Sequence, residues 1–179
     1  YSTALFSVNV NLATGIAGDG EGGADTLVGI EQVNGSTFND ILIGSSTTYS
    51  ESFQGGAGND MIYGLGGFDR AEYINTAGSG VSISLGGFGS FGGVNTTMGT
   101  VSGDTAVGTD TLFDVDAYTG SVFADTFNVG MFLSNSLPGG FLTNFNAFEG
   151  RGGDDIITGN FNTRIEYSGA TDAVNVNLA

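Results

Sequence analysis

The stretch Gly55–Tyr63, GGAGNDMIY, decides how the rest of the chain is read. It matches the nine-residue pattern G-G-x-G-x-D-x-U-x, with U apolar, at every fixed position. The glycines are Gly55, Gly56 and Gly58, the acid is Asp60 and the apolar residue is Ile62. Glycines let a backbone turn through positive φ and bring carbonyl oxygens toward one point. The residues after Asp60 are strand formers and continue as a short strand. A turn of carbonyls with one carboxylate suits a hard cation of calcium size, which takes about six to eight oxygens.

The chain repeats itself around this stretch. Tyr1–Ala13 (YSTALFSVNVNLA) aligns without a gap to Tyr167–Ala179 (YSGATDAVNVNLA), and Tyr73–Leu85 (YINTAGSGVSISL) is a third copy. GADTL (Gly23–Leu27) returns as GTDTL (Gly108–Leu112). GSTFND (Gly35–Asp40) returns as GSVFAD (Gly120–Asp125), and FQGGAGNDMIYG (Phe53–Gly64) as FEGRGGDDIITG (Phe148–Gly159). The order of markers defines unit one over 1–72 and unit two over 73–166, with a third unit begun at 167–179. Insertions in unit two fall at about 86–109 and 126–147. Ordered markers with variable spacers are the mark of stacked repeats, with insertions expected to bulge from one edge of the stack.

VNVNL and VSISL alternate with period two, and DILIG, DMIYG, DTFNV and DIITG are short β-rich runs bounded by Gly or Asn. No segment carries a sustained helical stripe. Hairpin signals are scarce, so the strands are expected to pair in parallel, stacked about 4.8 Å apart.

Composition narrows the function. The 179 residues carry 19 acidic side chains against three arginines, for a net charge of −16, so the chain repels nucleic acid and anionic membranes. Cysteine and histidine are absent, which removes thiolate and imidazole metal sites and any His-based triad, leaving carboxylates as the charged ligands. No apolar run is long enough to span a membrane as a helix. A start at Tyr1 is expected of an excerpt or a processed product.

The complete nonapeptide resembles that of the RTX (repeats-in-toxin, haemolysin-type) calcium-binding proteins. The resemblance implies an all-β chain, a right-handed parallel β-roll or β-helix solenoid with about 18 residues per coil. It implies calcium as cofactor, shared between the carboxylate of one turn and the carbonyls of the next. The candidate ligands are Gly56, Gly58, Asn59 and Asp60, with Asp25, Asp40, Asp110, Asp125 and Asp155 in equivalent turns and Asp69 on the opposite edge. Two turns depart from the pattern at the second glycine: Gly20–Val28 has Glu21 there and Gly150–Thr158 has Arg151.

The expected role is a calcium-dependent structural module of a secreted or cell-surface bacterial protein, an adhesin, surface-layer or filament-forming spacer. Its partners are calcium ions and neighbouring repeats or like subunits joined head to tail, with no nucleic acid and no membrane insertion. The rival reading is a carrier module or β-helix enzyme acting on acidic polysaccharide, with Arg70, Arg151 and Arg164 near the nonapeptide turns. Asp114 and Asp116 read as a solvated strand face, and the phenylalanines of the insertions as residues that widen the core. Neither end shows a Pro-rich or helical cap.

Overall fold

The computed structural model describes residues 1–91, 94–129, 145–160, 162–170 and 173. Among them the chain is all β, in sixteen strands. They are β1 (Asn9–Asn11), β2 (Ile16–Gly18), β3 (Ala24–Thr26), β4 (Gln32–Asn34), β5 (Ile41–Ile43), β6 (Ser52–Gln54), β7 (Met61–Tyr63) and β8 (Arg70–Glu72). Then follow β9 (Ser82–Phe91), β10 (Val94–Ser102), β11 (Thr109–Phe113), β12 (Ala117–Thr119), β13 (Thr126–Val129), β14 (Asn146–Glu149), β15 (Ile156–Thr158) and β16 (Thr163–Glu166).

Two sheets hold them. The first has the order β15-β13-β9-β10-β11-β7-β5-β1-β2-β3 and the second β16-β14-β12-β8-β6-β4. From β4 to β8, and again from β11 to β16, successive strands alternate between the sheets, so each circuit of the chain adds one strand to each. These neighbours pair in parallel, for example β5 with β7 and β6 with β8. Three-residue strands suffice because the period-two pattern needs one side chain pointing inward per strand. Val10, Leu42, Ile62, Leu112, Ile83 and Phe127 supply it from the first sheet, and Val33, Phe53, Ala71, Tyr118 and Phe148 from the second. All are buried, and they form one core.

The all-parallel expectation is corrected in two places. β1, β2 and β3 form an antiparallel meander, and so do β9, β10 and β11. Both occupy the same place in the repeat, after the tyrosine-led strand. The segment 86–109 therefore does not bulge from an edge; its described part lengthens β9 and β10 within the sheet. Likewise 126–147 begins in β13 and ends in β14, while 130–144 lies outside the described residues. Most of the aromatic stretch of that insertion shares this fate. Phe127 and Phe148, which flank it, stack at 4.7 Å in the core, and Phe127 meets Tyr118 at 5.7 Å.

Gly20–Val28 is not a degenerate nonapeptide turn. Gly20–Gly23 is the hairpin loop joining β2 to β3, closed by Asp19 Oδ1, which accepts the N–H groups of Glu21 at 2.7 Å and Gly23 at 2.9 Å. Asp25 accordingly sits inside β3, and Asp110 inside β11. A G-x-G-G string satisfies a hairpin loop as well as a calcium turn because both demand positive φ, here 74° at Gly20 and 96° at Gly22.

Candidate functional site: ladders of buried carboxylates

At the corner where each circuit enters the first sheet, a backbone N–H points along the stack and finds no strand partner. A buried donor left so costs about 1–3 kcal/mol, and the aspartates supply the acceptor. Val8 N–H donates to Asp40 Oδ1 at 2.7 Å, Asp40 N–H to Asp60 Oδ1 at 2.8 Å, and Asp60 N–H to Asp110 Oδ1 at 2.9 Å. Unit two repeats the device: Val81 N–H donates to Asp125 Oδ1 at 2.7 Å and Asp125 N–H to Asp155 Oδ1 at 2.9 Å. Beside it runs an amide ladder, with Asn59 N–H on Asn39 Oδ1 and Thr109 N–H on Asn59 Oδ1, both at 2.8 Å. The Asn59 side chain thus serves the backbone.

A second carboxylate ladder lies at the entry to the other sheet. Glu51 N–H donates to Asp69 Oδ1 at 2.9 Å, and Asp69 N–H to Asp116 Oδ2 at 3.1 Å. Asp69 is therefore separate from the Asp60 ladder, as its spacing implied. Glu51 was missed in the sequence, and Asp116 is no part of the expected solvated strand face: it sits in the turn between β11 and β12, half-buried. Asp114 takes positive φ (48°) in that turn and accepts from Thr97 N–H at 3.2 Å. The available signal was the step from Glu51 to Asp69, one repeat of about 18 residues.

The second oxygen of each carboxylate separates the turns into two kinds. In G-S-x-F-x-D turns the backbone N–H of the serine satisfies it, and the serine hydroxyl adds a bond to the first oxygen. Ser36 N–H donates to Asp40 Oδ2 at 2.5 Å and Ser36 Oγ–H to Asp40 Oδ1 at 2.8 Å. Ser121 treats Asp125 the same way, at 2.7 Å and 2.9 Å. In the nonapeptide, Gly56 stands where the serine would be, and Asp60 Oδ2 is buried without a partner. Asp69 Oδ2 and Asp110 Oδ2 are buried without partners as well. The Tyr73 hydroxyl lies against the Asp110 carboxylate, yet neither atom completes a hydrogen bond. Gly55 is required here because a Cβ on it would collide with Asp60 Oδ2, and Gly56 because its φ is 101°.

These carboxyls hold their protons far above the usual range. Burial pushes Asp60 up to about 8, with the charges of Asp110 and Asp40 adding and the Asp40 N–H opposing. Burial takes Asp110 to about 7 against the bond from Asp60 N–H, and Asp69 to about 7 with Asp116 and Glu51 adding. Asp116 also reaches about 7, by burial first and then Asp114. Burial raises Asp155 too.

Among the described residues no group of three or more acidic side chains is arranged to hold a metal ion. A cation here has one or two carboxylates and must draw its other oxygens from turn carbonyls. By that test Asp60, Asp110 and Asp69 fit, each with an uncompensated oxygen. Asp40, Asp125 and Asn59 spend their oxygens on the protein. Asp25 is exposed and accepts from Tyr1 Oη–H at 2.9 Å.

The arginines split. Arg151 stays in its turn at φ 70°. Arg70 and Arg164 lie on the outer face of the second sheet, where Arg70 donates to Thr119 Oγ1 at 2.8 Å and Glu166 Oε2 at 2.6 Å. Arg164 pairs with Glu166 and sits 4.2 Å over the Phe145 ring. No protein-family model, no curated protein and no solved structure matches the chain.

Proposed function

We propose that this chain is a structural repeat module of an extracellular or surface protein, a parallel β-solenoid of the β-roll kind whose glycine turns take calcium. The observation that supports it is the contrast between the serine-satisfied carboxylates, Asp40 and Asp125, and the uncompensated ones, Asp60, Asp110 and Asp69. Asp60 with Asp110, and Asp69 separately, would hold the ion together with turn carbonyls. The ion supplies the positive charge that the missing donors would have supplied, and it relieves repulsion in a chain of net charge −16. Structural work rather than catalysis also accords with Arg70 and Arg164 being committed to the protein's own glutamates.

The test is calorimetric calcium titration with thermal melts at about pH 9, where protons no longer substitute for the ion at a carboxyl near 8. Each site with a dissociation constant of about 10⁻⁴–10⁻³ M adds roughly 0.4–1.4 kcal/mol at about 1 mM calcium. Asp60→Asn should remove the heat of the Asp60–Asp110 site and leave that of Asp69, and Asp114→Asn should remove little of the first. An unchanged melt in excess chelator removes calcium from the reading.

A further inference from the structure

The two sheets turn different outer faces to solvent. The second carries Arg70, Arg164, Glu149 and Glu166, joined in ion pairs. In the first, the five adjacent strands β11, β10, β9, β13 and β15 hold one charged residue, Asp110, and it is buried. The chain has 19 acidic side chains, so an uncharged surface five strands wide is a departure from its composition.

Strand register sets what that surface presents. Val101, Ile83 and Phe127 are buried and point inward, so the residues on either side of each point out. Pairing aligns the outward residues in two rows. The first is Thr109, Ser102, Ser82, Thr126 and Ile156; the second is Thr111, Thr100, Ser84, Asn128 and Thr158. All are exposed except Thr111, which is half-buried. Neighbours in a row stand about 4.8 Å apart, and the rows about 6.7 Å apart, two residue rises of a strand.

These hydroxyls are not spent on the protein. Those of Ser36, Ser52, Thr97, Thr119 and Ser121 each bond to another group of the chain. Among the described residues, no side chain of the two rows does so. Protein interfaces are built on aromatic and arginine anchors and are poor in serine, whereas the rows hold no ring and no charge. Nucleic acid needs cations that the face lacks. Its complement is uncharged, gives and takes hydrogen bonds, and repeats in two directions.

We propose that this face binds ice. Its two spacings are close to the two lattice repeats on the prism plane of hexagonal ice. Hydroxyls in register take places in the first water layer, and the threonine methyls add apolar surface between them. No ion draws that layer into a hydration shell of its own. Under the rows, Val101, Ile83, Phe127 and Leu112 fix the strands in the core, so the array is ordered before it meets the crystal and binding costs little entropy. The face lies on the flank of the stack. The proposal rests on strand register within one sheet and not on calcium.

The test is partition of the full chain into slowly grown ice, with calcium present, followed by thermal hysteresis over a concentration series. The wild-type chain should enter the ice and hold a freezing gap that widens with concentration. Ser84→Tyr and Thr100→Tyr each place a ring in the middle of the array at an exposed strand position that suits tyrosine. Native circular dichroism should be kept and the hysteresis should fall several-fold. Gln32→Tyr, the same change on the outer face of the second sheet, should leave it unaltered. A natively folded wild-type chain that is excluded from ice overturns the proposal, as does retention on crystalline cellulose in place of ice. Ice uptake that neither Ser84→Tyr nor Thr100→Tyr reduces overturns the assignment to this face.

Discussion

The turn Gly35–Asp40 and the turn Gly55–Asp60 stack on one another and perform the same backbone task, yet their carboxylates have opposite electrostatic fates. Both aspartates accept one N–H from the preceding circuit, Val8 for the first and Asp40 for the second. Ser36 then adds two donors to Asp40, whereas Gly56 adds none to Asp60. The two turns differ in whether the second carboxylate oxygen, Oδ2, meets a donor: the Ser36 backbone N–H reaches that of Asp40, and no donor reaches that of Asp60. The aspartate alone does not mark the candidate site. The second oxygen left without a donor does.

The sharpest way to break this contrast is to delete each carboxylate in turn. Asp40→Ala orphans Val8 N–H and both Ser36 donors and should lower stability by about 3–5 kcal/mol. Asp60→Ala orphans only Asp40 N–H and removes an uncompensated oxygen, so about 1–2 kcal/mol is expected without calcium. Denaturant titration of both variants in chelator measures the difference; equal losses would dissolve the distinction between the turns.

Exchanging the residue that differs is a subtler probe. Gly56→Ser introduces the hydroxyl that in the other turn donates to Oδ1, but Gly56 has φ 101° and a Cβ there runs into the Ser36 carbonyl oxygen. A loss of about 2–3 kcal/mol is expected despite the added donor. A stabilised Gly56→Ser variant would show that the turn can relax and that glycine is there for the cation alone.

The smallest expected effect is in pH. Asp60 titrates at about 8 folded and near 3.8 unfolded, so the folded state binds the extra proton between these values. Stability should therefore be greatest in acid and decline as pH rises toward about 8, by about 1–2 kcal/mol for Asp60 once solvent screening is allowed for. Asp60→Asn should reduce that slope, with Asp69, Asp110 and Asp116 carrying the part that remains, as thermal melts from about pH 5 to 9 in chelator would record.

Much of this was legible along the chain. Period-two runs of valine and isoleucine bounded by Gly and Asn make strands because only one inward side chain per three-residue strand has to be apolar. The repeated markers told where circuits begin, and Asp60, Asp40, Asp125 and Asp155 do stand at sheet entries. Less was legible where glycines serve two geometries. Gly20–Gly23 looked like a calcium turn and is a hairpin loop, because positive φ is common to both. Glu51 went unseen and Asp116 was read as a solvated strand residue, since no local motif surrounds them, only a place on either side of Asp69 in its ladder.

What the sequence by itself determined is local: all-β elements, the positions of the turns, the absence of imidazole and thiolate metal ligands, and two ends that carry the same repeat. Which carboxylate is satisfied was settled only by tertiary structure. Asp60 accepts from a residue 20 positions away and gives its own N–H to one 50 positions away. A hydrogen-bond ladder perpendicular to the strands joins residues by circuit and not by sequence, and a buried charge is governed by the few atoms those circuits place around it.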